Sequence, residues 1–257
     1  MIPSLKSRLA LPFLLLASGL VSACAFTPSA GVPLLPQGLS DETRAMYAAT
    51  VDNGIEVPAI EDKYLSEEKA RQIVAYYAPY KAGTIVVDPG AKFLYHLQGD
   101  NTAMRYVVAV GAAGYGFSGE ARIPFQRDWP YWTPTQNMIK RDPETYGPVR
   151  AGLEGGLENP LGARALYLFK GGRDTLYRIH GTPSPWTVGH ATSSGCIRMF
   201  NQDVMYLADQ VPNGTKVVVL TKDQANRWTS PDNLTGALIP EISADTSAEA
   251  SPEGSTG

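Results

Sequence analysis

Between Gly83 and Leu220 the chain runs in short apolar stretches that alternate in twos, and turn residues cut each one off before it completes a long helix. Thr84-Ile85-Val86-Val87-Asp88 runs into an Asp88-Pro89-Gly90 turn, and residues 92–97 then set Phe93, Tyr95 and Leu97 on one face. Successive side chains of a strand point to opposite faces, so this segment reads as a hairpin. The same signals predict strands at 106–110, 165–169, 176–180 and 216–220. Helical signals are few. Ser40 is placed to cap a short helix running to about Thr50, and Ser66 a second over 67–77, whose acidic first turn suits the helix dipole. Asn201 reads as the N-cap of a third, with Val204, Leu207, Ala208 and Val211 on one side and a stop at Pro212-Asn213-Gly214. With 25 glycines and 20 prolines in 257 residues to interrupt longer helices, the expected class is mainly β with a few short helices.

The ends of the chain read differently. Residues 1–24 have the form of a secretory signal, with Lys6 and Arg8 ahead of an apolar run from Leu9 to Val21, too short and too broken by Pro12 and Gly19 to span a membrane well. Val21-Ser22-Ala23-Cys24 looks like a lipobox, which makes Cys24 the expected lipidation site, while Ala23-Cys24-Ala25 also fits ordinary cleavage after Ala25. Several acyl chains on Cys24 would anchor the mature protein stably, and Ala25 behind the cysteine resembles the Gram-negative signal for outer-membrane sorting, so the expected location is the periplasm. Residues 25–40 form a Pro/Gly/Ser-rich linker, 41–82 an N-terminal helical appendage, 83–220 the main β-rich domain, and 221–257 a C-terminal extension expected to be largely disordered. A formal net charge of −3 without a Lys/Arg cluster argues against nucleic acid as a partner. No His/Cys/acid cluster has metal-ligand spacing, and neither a metal nor another cofactor is expected.

Cys24 and Cys196 are the only cysteines, and once Cys24 is removed or acylated no intrachain disulfide can form. An exported protein that keeps a thiol in an oxidising compartment points to chemistry at that thiol. Attack by sulfur requires the thiolate and hence a nearby base. Of the three histidines, His96 lies opposite the Phe93/Tyr95/Leu97 face and reads as a surface residue, and His190 sits in a Gly/Ser/Thr loop six residues before the cysteine. His180 ends a strand and precedes Gly181, so its ring can project over a loop that returns with Cys196, which makes it the favoured base. Ser194, Gly195 and Cys196 can turn successive backbone N–H groups inward as oxyanion donors. If residues 196–198 are extended, Cys196 and Arg198 share a face and Ile197 enters the core, placing Arg198 to support a thiolate or bind a carboxylate, or alternatively to form a structural ion pair. The aromatic loop from Trp129 to Pro134, with Trp132 at its centre, either walls a cleft or covers a core edge.

His180-Gly181, a variable loop and Ser193-Ser194-Gly195-Cys196-Ile197-Arg198-Met199 together resemble the active-site signature of the bacterial L,D-transpeptidases. Gly83 to Asp88 resembles the family's opening strand, Trp132-Thr133-Pro134 its aromatic segment, Asn159-Pro160-Leu161-Gly162 the turn before a core strand, and Asn201 with Asp203 the start of the following helix. The resemblance implies a β-sandwich-like arrangement of mixed sheets and acyl transfer on peptidoglycan tetrapeptide stems. By that likeness Cys196 attacks the L-centre carbonyl of diaminopimelate and expels D-alanine, His180 moves the proton, Gly181 supports its ring, and Arg198, Ser193 and Trp132 contact substrate. Many members carry histidine immediately before the Gly-Cys pair, where this chain has Ser194. The acceptor is an amine of another stem, an envelope protein or a free D-amino acid. Water as acceptor would make the protein a carboxypeptidase, and a cysteine peptidase of wall stems or a non-catalytic wall-binding module are the competing readings.

Overall fold

The computed structural model describes residues 38–111, 117–191 and 195–231. The signal segment with Cys24, the linker as far as residue 37, Ser193 and Ser194, and the tail from residue 232 lie outside the described residues.

The helices are α1 (Asp41–Met46), α2 (Gln136–Arg141), α3 (Pro143–Tyr146) and α4 (Asn201–Ala208). The strands run β1 (Thr50–Asp52), β2 (Ile55–Val57), β3 (Gln72–Ala75), β4 (Ile85–Asp88), β5 (Phe93–Gly99), β6 (Thr102–Val107), β7 (Gly119–Ile123), β8 (Gln126–Asp128), β9 (Arg164–Lys170), β10 (Arg173–His180), β11 (Ile197–Arg198) and β12 (Thr215–Val219). β1 and β2 form a separate hairpin, and the main sheet has the order β11-β10-β9-β7-β12-β4-β5-β6-β3, with β8 also paired to β9. Its β12–β4 and β10–β11 pairs are parallel and the rest antiparallel, giving a mainly β, mixed-sheet architecture with short helices.

The predicted hairpin is β4–β5, with Val86 opposite Tyr95. Its turn is fixed by Asp88, whose carboxylate accepts the Ala91 N–H at 2.9 Å and, from the far end of the chain, the Asn226 N–H at 2.7 Å. Both faces of this hairpin are buried. Ile85, Val87 and Leu94 join the larger core with Tyr106, Leu166, Ile179, Ile197, the α4 residues Val204, Leu207 and Ala208, and Val211 just beyond the helix. Val86, Tyr95 and Leu97 join a second core with Tyr76 and Trp228. His96 shares the larger core's face with Leu94 and is 5% exposed, so it is an interior residue and not the surface one that alternation suggested. A period of two says which face a side chain takes, not whether that face is covered.

Ser40 caps α1 as predicted, accepting the Thr43 N–H at 3.1 Å. The helix expected over 67–77 is absent. Ser66 starts a single turn that ends at Ala70, and Gln72 to Ala75 then pair with β6 as the edge strand β3. Of the acidic pair that suggested a helix start, Glu67 is used elsewhere: its carboxylate accepts the Ser40 N–H at 2.6 Å and the Thr43 hydroxyl at 2.8 Å. Residues 41–82 are therefore part of the main body and not a helical appendage: Tyr47, Leu65 and Ala70 form a third core with Val107, Val188 and Phe200. At the other end, residues up to 231 pack as well. Trp228 is buried edge-on to Tyr76 and Tyr80, and its carbonyl accepts the Tyr77 N–H at 2.8 Å. The strand predicted at 106–110 begins earlier, as β6, and its continuation bridges to β11 through two hydrogen bonds between Ala109 and Arg198.

Candidate active site

β10 and β11 lie side by side in parallel, with Ile179 opposite Ile197 and His180 opposite Arg198. Ile179 and Ile197 are both in the core, so alternation puts His180 and Arg198 on the other face, together with Arg178 and with Cys196, the residue just before β11. Two segments sixteen residues apart in sequence thus bring the histidine, the thiol and two arginines onto one patch of sheet.

His180 is 4% exposed, and its Nδ1 lies 2.6 Å from the Gly181 carbonyl oxygen. A carbonyl can only accept, so Nδ1 carries the proton and Nε2 is left as the basic nitrogen. Burial first, and then the positive charges of Arg198 and Arg178, lower its pKa to about 3 against the opposing pull of the Gly181 bond. Burial likewise pushes the half-buried Cys196 thiol upward, countered by a backbone hydrogen bond from Arg178 and by the charges of Arg178 and Arg198. Near neutral pH both the thiol and the imidazole are therefore uncharged.

The strand end is clamped by a residue read from sequence as a helix cap. Asn201 is the first residue of α4, with Phe200 at the cap position, and its amide bonds outward rather than to its own helix. Its oxygen accepts the N–H groups of Ala163 (3.0 Å) and Thr182 (3.2 Å), and its nitrogen donates to the Thr182 carbonyl at 3.2 Å. A β-carbon on Gly181 would collide with that amide, which is why the position after the histidine has no side chain. Gly195 has a φ of +130°, and a β-carbon there would lie 2.6 Å from the Tyr177 ring. Glycine is required on both counts.

Arg198 is half-buried, and burial lowers its pKa while the nearby Cys196 and Tyr146 raise it. The Tyr146 ring sits 6.2 Å from that of Trp132, and Trp132 bridges to Leu153 through two backbone hydrogen bonds. Asn159 secures this excursion by donating to the carbonyls of Pro130 (2.9 Å), Leu153 (3.1 Å) and Glu154 (3.0 Å). His190 is exposed and is held through its backbone, accepting from Val110 at 3.1 Å, while His96 lies inside the sheet. The roles expected of Ser193 and Ser194 fall outside the described residues. Sequence reading missed Arg178 and Asp174, which carry no motif signal, and the clamping parts of Asn159 and Asn201. Asn159 three residues before Gly162 was a trace of its part, but nothing in the sequence ties Asn201 to Gly181, twenty residues away. Among the described residues no three His, Cys, Asp or Glu side chains group as metal ligands.

The YkuD L,D-transpeptidase catalytic domain model matches residues 82–219. The chain is 35% identical over 152 residues to the "Probable L,D-transpeptidase ErfK/SrfK" of Escherichia coli K12, covering 58% of this chain and 47% of that protein. It is 29% identical over 184 residues to the protein of the same description from Salmonella typhimurium, covering 69% of this chain and 58% of that one. The chain thus spans about half the length of the curated relatives it matches. A solved Brucella melitensis structure described as a "Probable carnitine operon oxidoreductase caia" is 51% identical, covers 62% of this chain and 99% of its own, and overlays with a TM-score of 0.43, which supports no functional reading.

Proposed function

Because this chain belongs to the L,D-transpeptidase catalytic-domain family, we propose that it is a peptidoglycan acyltransferase with Cys196 as nucleophile and His180 as its base. The supporting observation is the parallel β10–β11 register, which sets the buried, singly protonated His180 and the Cys196 thiol on one face beside Arg178 and Arg198. In the proposed reaction the sulfur bonds to the L-centre carbonyl carbon of diaminopimelate as the thiol proton passes to His180 Nε2. Backbone N–H groups of residues 194–196 hold the oxyanion, and collapse breaks the bond to D-alanine, whose amine takes the proton. An acceptor amine then attacks the thioester and returns the thiol. The acceptor is a second stem, giving a 3-3 cross-link, or an envelope-protein amine; water in that place would give a carboxypeptidase. Arg198 is assigned to substrate, with Trp132 and Ser193 as further contacts.

Intact-protein mass spectrometry after incubation with a tetrapeptide stem or a carbapenem tests the chemistry. The expected adduct is a thioester on Cys196, absent in Cys196→Ser, and His180→Gln slows acylation by about 10²–10⁴-fold. An adduct on another residue, or a dispensable His180 with an essential His190, overturns the assignment. Muropeptide analysis of cells with and without the protein identifies the acceptor. From the signal-like N-terminus and the lipobox-like Val21 to Cys24 we further propose that the mature chain lies in the periplasm, held to the outer membrane by acyl chains on Cys24. Cys24→Ala should release it or block its processing, and a mature N-terminus at Phe26 in membrane-free fractions would refute the anchor.

A further inference from the structure

β10 slips its register against β9 between Asp174 and Arg178: Asp174 faces Phe169 and Arg178 faces Tyr167, so four steps along one strand match two along the other. In the bulge Leu176 adopts a φ of +63° and is 68% exposed. A leucine side chain cannot hydrogen-bond to its own backbone to favour that left-handed conformation, and an exposed one does not repay it by packing. Asp174 holds it there. Its Oδ1 accepts the Leu176 N–H at 2.8 Å, and its two oxygens grip the Arg178 guanidinium at 2.7 and 2.8 Å. Residues four apart in an extended strand are separated by about 13 Å, so this two-pronged pair exists only because the strand bulges. Thr175 adds a bond to the Leu168 carbonyl and accepts the Tyr177 N–H, and the guanidinium lies 4.1 Å over the Tyr167 ring.

The bulge ends at the thiol. Leu176 turns its carbonyl to within 3.9 Å of Cys196 Sγ. Arg178 lies on the sheet face of Cys196, with His180 two residues along β10, Arg198 on β11 and Tyr177 against Gly195. We propose that Asp174, Leu176 and Arg178 form a positioning device for the Cys196 nucleophile, in which the Asp174 fork fixes the bulge so that the Leu176 carbonyl orients the resting thiol and Arg178 stabilises the thiolate. The device rests on the reading of Cys196 as nucleophile. Bulges beside active sites re-aim groups in this way.

The test is iodoacetamide alkylation across pH on the full chain in a Cys24→Ala background, where Cys196 is the single thiol. Arg178→Gln should move the alkylation midpoint to higher pH and slow alkylation at pH 7 by about 3–10-fold, because the cation that favours the thiolate is gone. Arg178→Lys keeps the charge and loses the fork, so its midpoint should stay near that of the parent while kcat for transfer falls with KM held. A folded Arg178→Gln with an unchanged midpoint overturns the proposal. If Arg178→Gln does not fold, Arg178→Lys decides alone, and an unchanged kcat overturns it. Alkylation needs no substrate, so failure here is separable from failure of the transfer reaction, which would show as undiminished transfer by Cys196→Ser.

Discussion

The side-chain amide of Asn201 fills the space that a β-carbon on residue 181 would need, and from there it bonds the backbone on both sides of the His180 strand end. Gly181→Ala must push against that amide and against the Ala163 nitrogen, 3.1 Å from the added carbon. Overpacking of this kind costs about 1–3 kcal/mol. Asn201→Ala leaves the buried Ala163 and Thr182 N–H groups without the amide oxygen, at about 1–3 kcal/mol for each orphaned group. The double substitution should cost less than the sum, because removing the amide makes room for the methyl. Chemical denaturation of the four proteins measures the coupling, and strict additivity would show that the two positions do not meet.

Gly195 has a different constraint. Alanine there must leave a φ of +130° and avoid the Tyr177 ring, so the chain between residue 195 and Cys196 has to turn. A shift of one oxyanion donor is enough to reduce kcat by about 10²-fold. Gly195→Ala should therefore lose transfer while keeping a near-normal melting temperature. The double variant with Tyr177→Ala should not recover it, since the backbone angle persists. Recovery would assign the requirement to the ring alone.

What the sequence revealed and what it concealed divide along physical lines. The β4–β5 hairpin, β9, β10 and β12 were legible because each is bounded by turn residues and filled with β-branched or aromatic side chains. That His180 ends a strand beside the segment carrying Cys196 was legible because Gly181 and the extended Cys196-Ile197-Arg198 run mark both positions. β3 was not: Glu67 and Glu68 look like a helix start, and only the distant Ser40 and Thr43 explain why Glu67 is used elsewhere. His96 was placed on the correct strand but wrongly exposed, since the cover over its face comes from segments far away in sequence. The Asp174–Arg178 fork is invisible to any periodic reading, because a regular strand would hold the two side chains far apart.

The neutral resting pair predicts an unusual pH profile. His180 titrates near pH 3, not near its ordinary 6.5, so kcat/KM should show no acid limb centred at pH 6–7 and should stay level from above pH 4 until the thiol begins to ionise. An acid limb at pH 6.5 would mean that the imidazole is solvated during turnover. The stability consequence has a definite sign. The unfolded state takes up the histidine proton below about pH 6.5 and the folded state only near 3, so this group makes the fold less stable as pH falls through that window. His180→Gln should remove that part of the slope in a series of melting curves between pH 7 and pH 4.

Asp203 supplies the opposite slope. It is wholly buried at the start of α4, accepts the Tyr47 hydroxyl at 3.2 Å and meets Arg71 at 3.1 Å, yet burial outweighs both partners and raises its pKa to about 6. A carboxyl whose folded value lies above its unfolded one, near 3.8, contributes stability that is complete below about pH 3.8 and lost as pH rises through 6. Asp203→Asn has no such loss, so its melting temperature relative to the parent should improve from pH 4 to pH 7. If the Arg71 ion pair were the dominant interaction the carboxyl would be depressed instead, and the relative stability of Asp203→Asn would worsen over the same range. Asp203→Ala, which strands Arg71 and the Tyr47 hydroxyl together, should cost about 3–5 kcal/mol at pH 7 and loosen the N-terminal segment from α4. Proteolysis between α1 and β3, faster in Asp203→Ala than in Asp203→Asn, is the expected sign of that loosening. Equal rates would place the anchor of that segment in the Tyr47–Phe200 contact, where the rings meet edge-on at 5.6 Å.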